Sequence, residues 1–160
     1  MTTTEDLSEF AALIPSQQRL LGLDLGTKTI GLALSDLTRL IASPLETIRR
    51  RKFSHDFDRL SAIVSEHNIC GLVLGLPLNL NNTEGPRAQS TRAFARNVSA
   101  RMPLPILLWD ERLTTAEAER SLIAADASRA KRADVIDQVA ASIILQNVLD
   151  ALTNQRSSMT

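Results

Sequence analysis

Residues 20–35 read LLGLDLGTKTIGLALS, and the fold turns on this stretch. Leu20 to Leu25 is apolar and ends on an acid, Asp24, as a buried strand does. Gly26-Thr27-Lys28 predicts a turn, and Thr29 to Ser35 the returning strand of a hairpin. Leu40 to Ile48 reads as a third strand, broken at Pro44 in the way an edge strand tolerates. The basic run Arg49-Arg50-Arg51-Lys52 follows.

Beyond it, Ser54 is placed to cap a helix with Asp56 and Asp58 in its first turn and Phe57, Leu60, Ile63 and Val64 at helical spacing. Gly71 to Leu76 (GLVLGL) is a continuous apolar run, the pattern of a strand buried on both faces. The loop PLNLNNTEG spans residues 77–85, longer than the usual two to six residues of such a connection. Pro86 opens a helix with Thr91, Phe94, Ala95 and Val98 inward and Arg92 and Arg96 outward. Pro105 to Asp110 predicts another buried strand. Thr114 with Glu117 forms a capping box for a helix to about Ala125. Asp126 to Arg132 is a basic linker, and Asp134 starts a last helix with an apolar side from Ile136 to Leu145. The order β-β-β-α-β-α-β-α-α predicts an α/β domain: a hairpin meander feeding two crossovers, one mixed five-stranded sheet with helices on its faces. The domain is expected over residues 19–151, after a leader (1–18) with freedom to move and before a polar tail (152–160).

Composition narrows the function. The chain has 160 residues, 44% hydrophobic and 22% charged, enough to bury a core without disulfide or metal staples. One cysteine, Cys70, excludes an internal disulfide and a cysteine-based zinc site; two histidines disfavour histidine-cluster zinc enzymes. Tyrosine is absent and five aromatics are too few for a base-stacking platform. The acidic, polar N-terminus is unlike a signal or transit peptide, and no uninterrupted apolar run approaches the roughly 20 residues of a membrane span. A cytoplasmic protein without membrane attachment is expected. Eighteen bases balance eighteen acids, but fifteen of the bases are arginine, whose planar fork matches phosphate oxygens. No G-x-G-x-x-G is present, and Lys28 lacks Walker spacing.

Three acids stand out by position. Asp24 ends the first strand, Glu111 follows Asp110 at the end of the last strand, and Asp137 lies in the first turn of the last helix on a stripe with Ala140, Ala141 and Ile144. Convergent carboxylates without histidine or cysteine make a hard, oxygen-only site suited to Mg²⁺ or Mn²⁺. Each acid also fits an ordinary structural role: a turn residue, a surface ion pair with Arg112, a helix-dipole partner. Spacing alone does not choose Glu111 over Asp110, or Asp137 over Asp134.

The block Asp24-Leu25-Gly26-Thr27-Lys28-Thr29 with Gly31 resembles the first-strand motif of the ribonuclease H-like superfamily. GLPLNLNNTEGP (75–86), DERLTT (110–115) and DQVAA (137–141) follow in order, and the set resembles the YqgF/RuvX-type family of pre-16S rRNA nucleases, itself similar to Holliday junction resolvases. The resemblance covers residues 20 to about 150. It implies a ribonuclease H-like fold and a catalytic, metal-binding triad of Asp24, Glu111 and Asp137. It implies hydrolysis of phosphodiester bonds in structured nucleic acid by a two-metal scheme, with Asp24 bridging ions about 4 Å apart. The implied partners are pre-16S rRNA, within ribosomal precursor particles, or branched DNA. Lys28, Asn79, Arg87, Arg92, Arg96, Arg112, Arg129, Lys131 and Arg132 are the candidates for substrate contacts. A junction cutter calls for a two-fold dimer; a processing enzyme acts as monomer or homodimer. An actin-like or sugar-kinase ATPase opens with a similar D-x-G-T hairpin, but it needs two lobes and a second phosphate loop. A binding module that has lost catalysis would not need all three acids.

Overall fold

The computed structural model describes residues 2–79, 81, 83–113 and 129–158. The hairpin forms as the sequence predicts: β2 (Arg19–Leu25) and β3 (Thr29–Ser35) pair antiparallel, with Gly26 N donating to Thr29 O at 2.8 Å across the turn. β4 (Ala42–Arg49) pairs with β3, and its register shifts beside Pro44, a bulge that suits a residue without an N–H. The loop leading into β4 is closed by Asp36. Its Oδ1 accepts from Leu40 N and Ile41 N at 2.9 and 3.0 Å, and its Oδ2 from the Thr38 hydroxyl. Those bonds, the Thr38 hydroxyl foremost, hold the Asp36 carboxyl down at about 2. A depressed folded value stabilises the protein above the ordinary carboxylate range, and that contribution fades as pH falls from about 4 towards 2. Asp36→Ala is expected to cost about 1 kcal/mol at neutral pH. In urea melts, the gap to wild type should shrink below pH 4.

Helix α2 (Phe53–His67) starts after Lys52, not Ser54. The buried Asp56 carboxylate does not cap the helix but reaches back past Lys52 and accepts from Arg51 N at 3.1 Å. β5 (Ile69–Leu76) is buried at every position and pairs parallel with β2 and with β6 (Ile106–Asp110). Between them lies α3 (Pro86–Ser99), whose Thr91, Phe94, Ala95 and Val98 are buried.

The sheet has six strands in the order β1-β6-β5-β2-β3-β4, one more than expected. The extra strand is β1 (Thr3–Thr4), parallel to β6, with Ile106 N donating to Thr2 O at 2.9 Å. Two residues are too few to show alternation in a sequence. Helix α1 (Leu7–Leu13) follows, capped by Asp6 through Ser8 N and Glu9 N, and buries Phe10 completely. Residues 3–13, within the expected leader, are thus strand and helix packed on the core.

The last helix, α4 (Arg129–Ser158), begins earlier and ends later than expected. Arg129, Lys131 and Arg132 belong to its backbone, not to a linker, and Asp134 does not start it. The run from Arg129 to Ala133 contains strong helix formers and no Gly or Pro, so nothing halts the helix there. The same holds through the expected tail, where Leu152 is buried and Gln155 Nε2 donates to Ser8 Oγ at 3.0 Å. The expected helix from Thr114 to Ala125 lies outside the described residues.

Alternation sorts the core into two layers. Leu21, Leu23, Leu25, Leu72, Leu74 and Leu76 face α2 and α3. Leu20, Ala33, Val73 and Leu107 face α1 and α4, meeting Ala141, Ile144, Leu145, Val148 and Leu149. Each large side chain here contributes about 1.5–3 kcal/mol of burial. Val135–Ser157 is long and apolar enough to cross a membrane, but its apolar stripe is the one packed on the sheet.

Candidate active site

Asp24 is 3% exposed and points to the α4 layer, since Leu23 and Leu25 on either side of it point to the other. Its cross-strand partner on β3 is Gly31. On the other side, Leu23 is in register with Leu74, so the next residue along, Gly75, lies beside Asp24. Both flanking positions therefore lack a side chain, and each is roofed by one of the other two acids.

Over Gly31 lies the backbone of Asp137: a Cβ there would sit 2.0 Å from Asp137 O. Over Gly75 lies Glu111: a Cβ there would sit 2.5 Å from Glu111 Oε1 and 2.7 Å from Ile144 Cδ1. The sheet supplies the floor, α4 one wall and the end of β6 the other. Among the described residues, the carboxylates do not close into a single three-ligand cluster. They share one face and one end of the sheet around a buried Asp24.

The structure also separates Glu111 from Asp110. The Arg112 guanidinium grips Asp110, with Nη2 to Oδ2 at 2.7 Å and Nε to Oδ1 at 3.0 Å, and Arg112 N donates to the same Oδ1 at 2.9 Å. That fork holds the Asp110 carboxyl below the usual carboxylate range. A single turn, Glu111–Leu113, follows β6 and swings Glu111 onto the α4 face. Arg112 Nη1 also donates to Asn79 O at 3.1 Å, tying in the 77–85 loop, which folds back through Asn79 N to Thr83 O at 3.0 Å. Arg112 thus ties the end of β6 to the 77–85 loop.

Thr29, which sequence reasoning missed, donates through Oγ1 to Asp137 Oδ2 at 2.5 Å. The signal is present in the D-x-G-T-x-T motif, but the contact joins residues far apart in the chain. Thr29→Val is expected to lower activity 10–100-fold, the usual cost of losing a group that orients a ligand. Thr29→Ser should restore most of it in the same turnover assay.

The cationic candidates scatter. Arg92 is engaged by Glu84 at 2.6 Å and Glu5 at 3.4 Å, and with exposed Arg96 it lies on α3, which packs on the opposite face of the sheet. Lys28 and Asn79 are exposed in loops at the Asp24 end. Arg87 reaches Leu25 O at 3.4 Å. Arg129, Lys131 and Arg132 are placed only as the start of α4.

The family described as RuvX, Holliday junction resolvase, matches residues 18–151. The chain belongs to the RuvX family. A relative from Cereibacter sphaeroides is 62% identical over 148 residues, 92% of each chain, and one from Ruegeria sp. is 57% identical over 150 residues, 94% of this chain and 96% of that one. Both bear the provisional name of pre-16S rRNA nuclease. This RuvX member is accordingly an enzyme, a hydrolase acting on ester bonds. Its fold is shared with Thermus thermophilus RuvC, solved with a Holliday junction substrate, at a TM-score of 0.55 and 13% identity over 86% of this chain and 96% of that one.

The donor set fits a hard divalent cation. It is all carboxylate, one member is buried, and two glycines let Asp137 and Glu111 come close to the sheet on either side of it. Asp24, Glu111 and Asp137 would hold such an ion.

Proposed function

We propose that this protein is a metal-dependent endonuclease of the cytoplasm that processes the 5′ end of pre-16S rRNA during ribosome biogenesis. The observation that carries the reading is that Glu111 and Asp137 lie over the two glycines that flank the buried Asp24 at one end of the sheet. The names of relatives above half identity support the substrate. Mg²⁺ or Mn²⁺, when bound, supplies charge for the attacking water and the leaving oxygen. The chain's own residues do the rest. Asp24 presents a buried carboxylate, Thr29 orients Asp137 through its hydroxyl, and Arg112 pins the turn that delivers Glu111. No serine, cysteine or histidine lies in this group, and the Thr29 hydroxyl is engaged by Asp137, so the attacking oxygen is water's.

The family's own description favours a second reading, cleavage of four-way DNA junctions. The test is a cleavage assay with Mg²⁺ or Mn²⁺ on a pre-16S 5′ fragment and on a synthetic junction. Specific cuts in the RNA support the processing role, and symmetric cuts in the junction alone replace it with resolution. Cleavage of neither overturns both.

A further inference from the structure

The basic run Arg49-Arg50-Arg51-Lys52 plays no part in the carboxylate site, yet the fold brings it to the same end of the sheet. Arg49 pairs with Thr29, and the chain leaves β4 alongside the β2–β3 turn. Arg50 N donates to Lys28 O at 2.8 Å and its Nη1 to Gly26 O at 2.6 Å. From α3, Arg87 Nη2 approaches Leu25 O at 3.4 Å. Between the two arginines lies a groove of about 230 Å³, lined also by Thr27, Pro86 and Ser90.

The two arginines of this groove differ from Arg59, Arg92 and Arg112 in what they bind. Arg59, Arg92 and Arg112 each bind a carboxylate. Among the described residues, Arg50 and Arg87 bind only main-chain carbonyls, and α3 has no acid in its first turn. A guanidinium has five N–H donors, so most of each fork remains available for an oxyanion. Gly26 is two residues from Asp24, at most about 7 Å along an extended backbone.

We propose that this groove is a phosphate subsite that holds the backbone of the substrate strand next to the scissile bond, with Arg50 and Arg87 as its ligands. The assignment rests on the nuclease reading and adds to it the path of the strand: over the β2–β3 turn, from the α4 face toward α3. Contacts of this kind position a strand without reading its sequence.

Binding can be measured apart from cleavage. Full-length protein in EDTA is titrated into fluorescein-labelled single-stranded RNA of mixed sequence, followed by anisotropy at several salt concentrations. Arg50→Gln with Arg87→Gln is expected to reduce the slope of log affinity against log salt by about 1.4, roughly 0.7 for each phosphate that is no longer neutralised. It should weaken all sequences alike. Arg50→Lys with Arg87→Lys, which keeps both charges, should recover the slope. Arg87→Gln alone changes an exposed side chain and should remove about half of the effect, whatever Arg50 does for the turn. Wild-type slope and affinity in the glutamine variants overturn the subsite; if wild type still cuts RNA with Mg²⁺, the nuclease reading survives that result. A slope that depends on both arginines in a protein that never cleaves keeps the groove and removes the nuclease. Wild type that binds no RNA removes both.

Discussion

Asp24→Asn is expected to reduce phosphodiester cleavage by at least roughly 10³-fold, well beyond the 10–100-fold that disturbing an orienting group costs. The substitution is nearly isosteric: it removes the negative charge, and turns one acceptor into a donor, on a side chain that is 3% exposed at the centre of the site. Burial of a carboxylate is unfavourable in the absence of a bound cation. Mg²⁺ or Mn²⁺ should therefore raise the melting temperature of the variant less than it raises that of wild type. The measurements are turnover on the pre-16S fragment and thermal melts with and without metal. Cleavage retained by Asp24→Asn would sink the proposed site, because among the described residues no other acid occupies the place between Gly31 and Gly75.

Gly31→Ala should be the most damaging of the glycine-to-alanine changes. The new carbon would meet three atoms of Asp137, its O at 2.0 Å, its C at 2.3 Å and its Cβ at 2.9 Å. Two of these are main-chain atoms of a long helix, so relief requires α4 to lift from β3. Overpacking in cores typically costs 1–3 kcal/mol, and main-chain obstruction puts this case at about 3 or more. Gly75→Ala provides the contrast. Its carbon meets the Glu111 carboxylate and the tip of Ile144, which can rotate away. Stability should fall by about 1 kcal/mol, with activity down about 10²-fold from a displaced carboxylate. Urea denaturation and turnover together separate the two: Gly31→Ala loses both, Gly75→Ala chiefly activity. Equal stability of Gly31→Ala and wild type would contradict the packing of α4 over β3.

Elements that announce themselves locally are legible in the sequence. The β2–β3 hairpin follows from apolar runs around Gly26-Thr27-Lys28, and β5 from GLVLGL. Pro44 marks the edge of the sheet, and Pro86 the start of α3. What escapes depends on distant partners. Thr3-Thr4 is a strand only because β6 offers an edge. The early start of α4 follows from helix propensity around Ala130, which competes in the sequence with the capping look of Asp134. At the site, the family motif points to Asp24, Glu111 and Asp137, but spacing leaves Asp110 and Glu111 equivalent, and the Arg112 fork is what distinguishes them. Arg92 reads as an outward cation, and its engagement with Glu5 joins residues 87 apart in the chain. Arg50 reads as one member of a charged run, and only the pairing of β4 with β3 sets it beside the turn after Asp24.

The way α4 is seated carries one more consequence. From Asp137 to Gln155 the helix runs about 27 Å at 1.5 Å per residue. At its far end Gln155 is fastened to Ser8, and α1 packs Phe10 into the same layer. Asp137 is thus carried on a stiff rod clamped by the first residues of the chain. A fusion or deletion at the N-terminus, remote from the three acids of the site, would slacken that clamp and let the rod pivot, so the alignment of the site is held partly from the opposite end of the molecule.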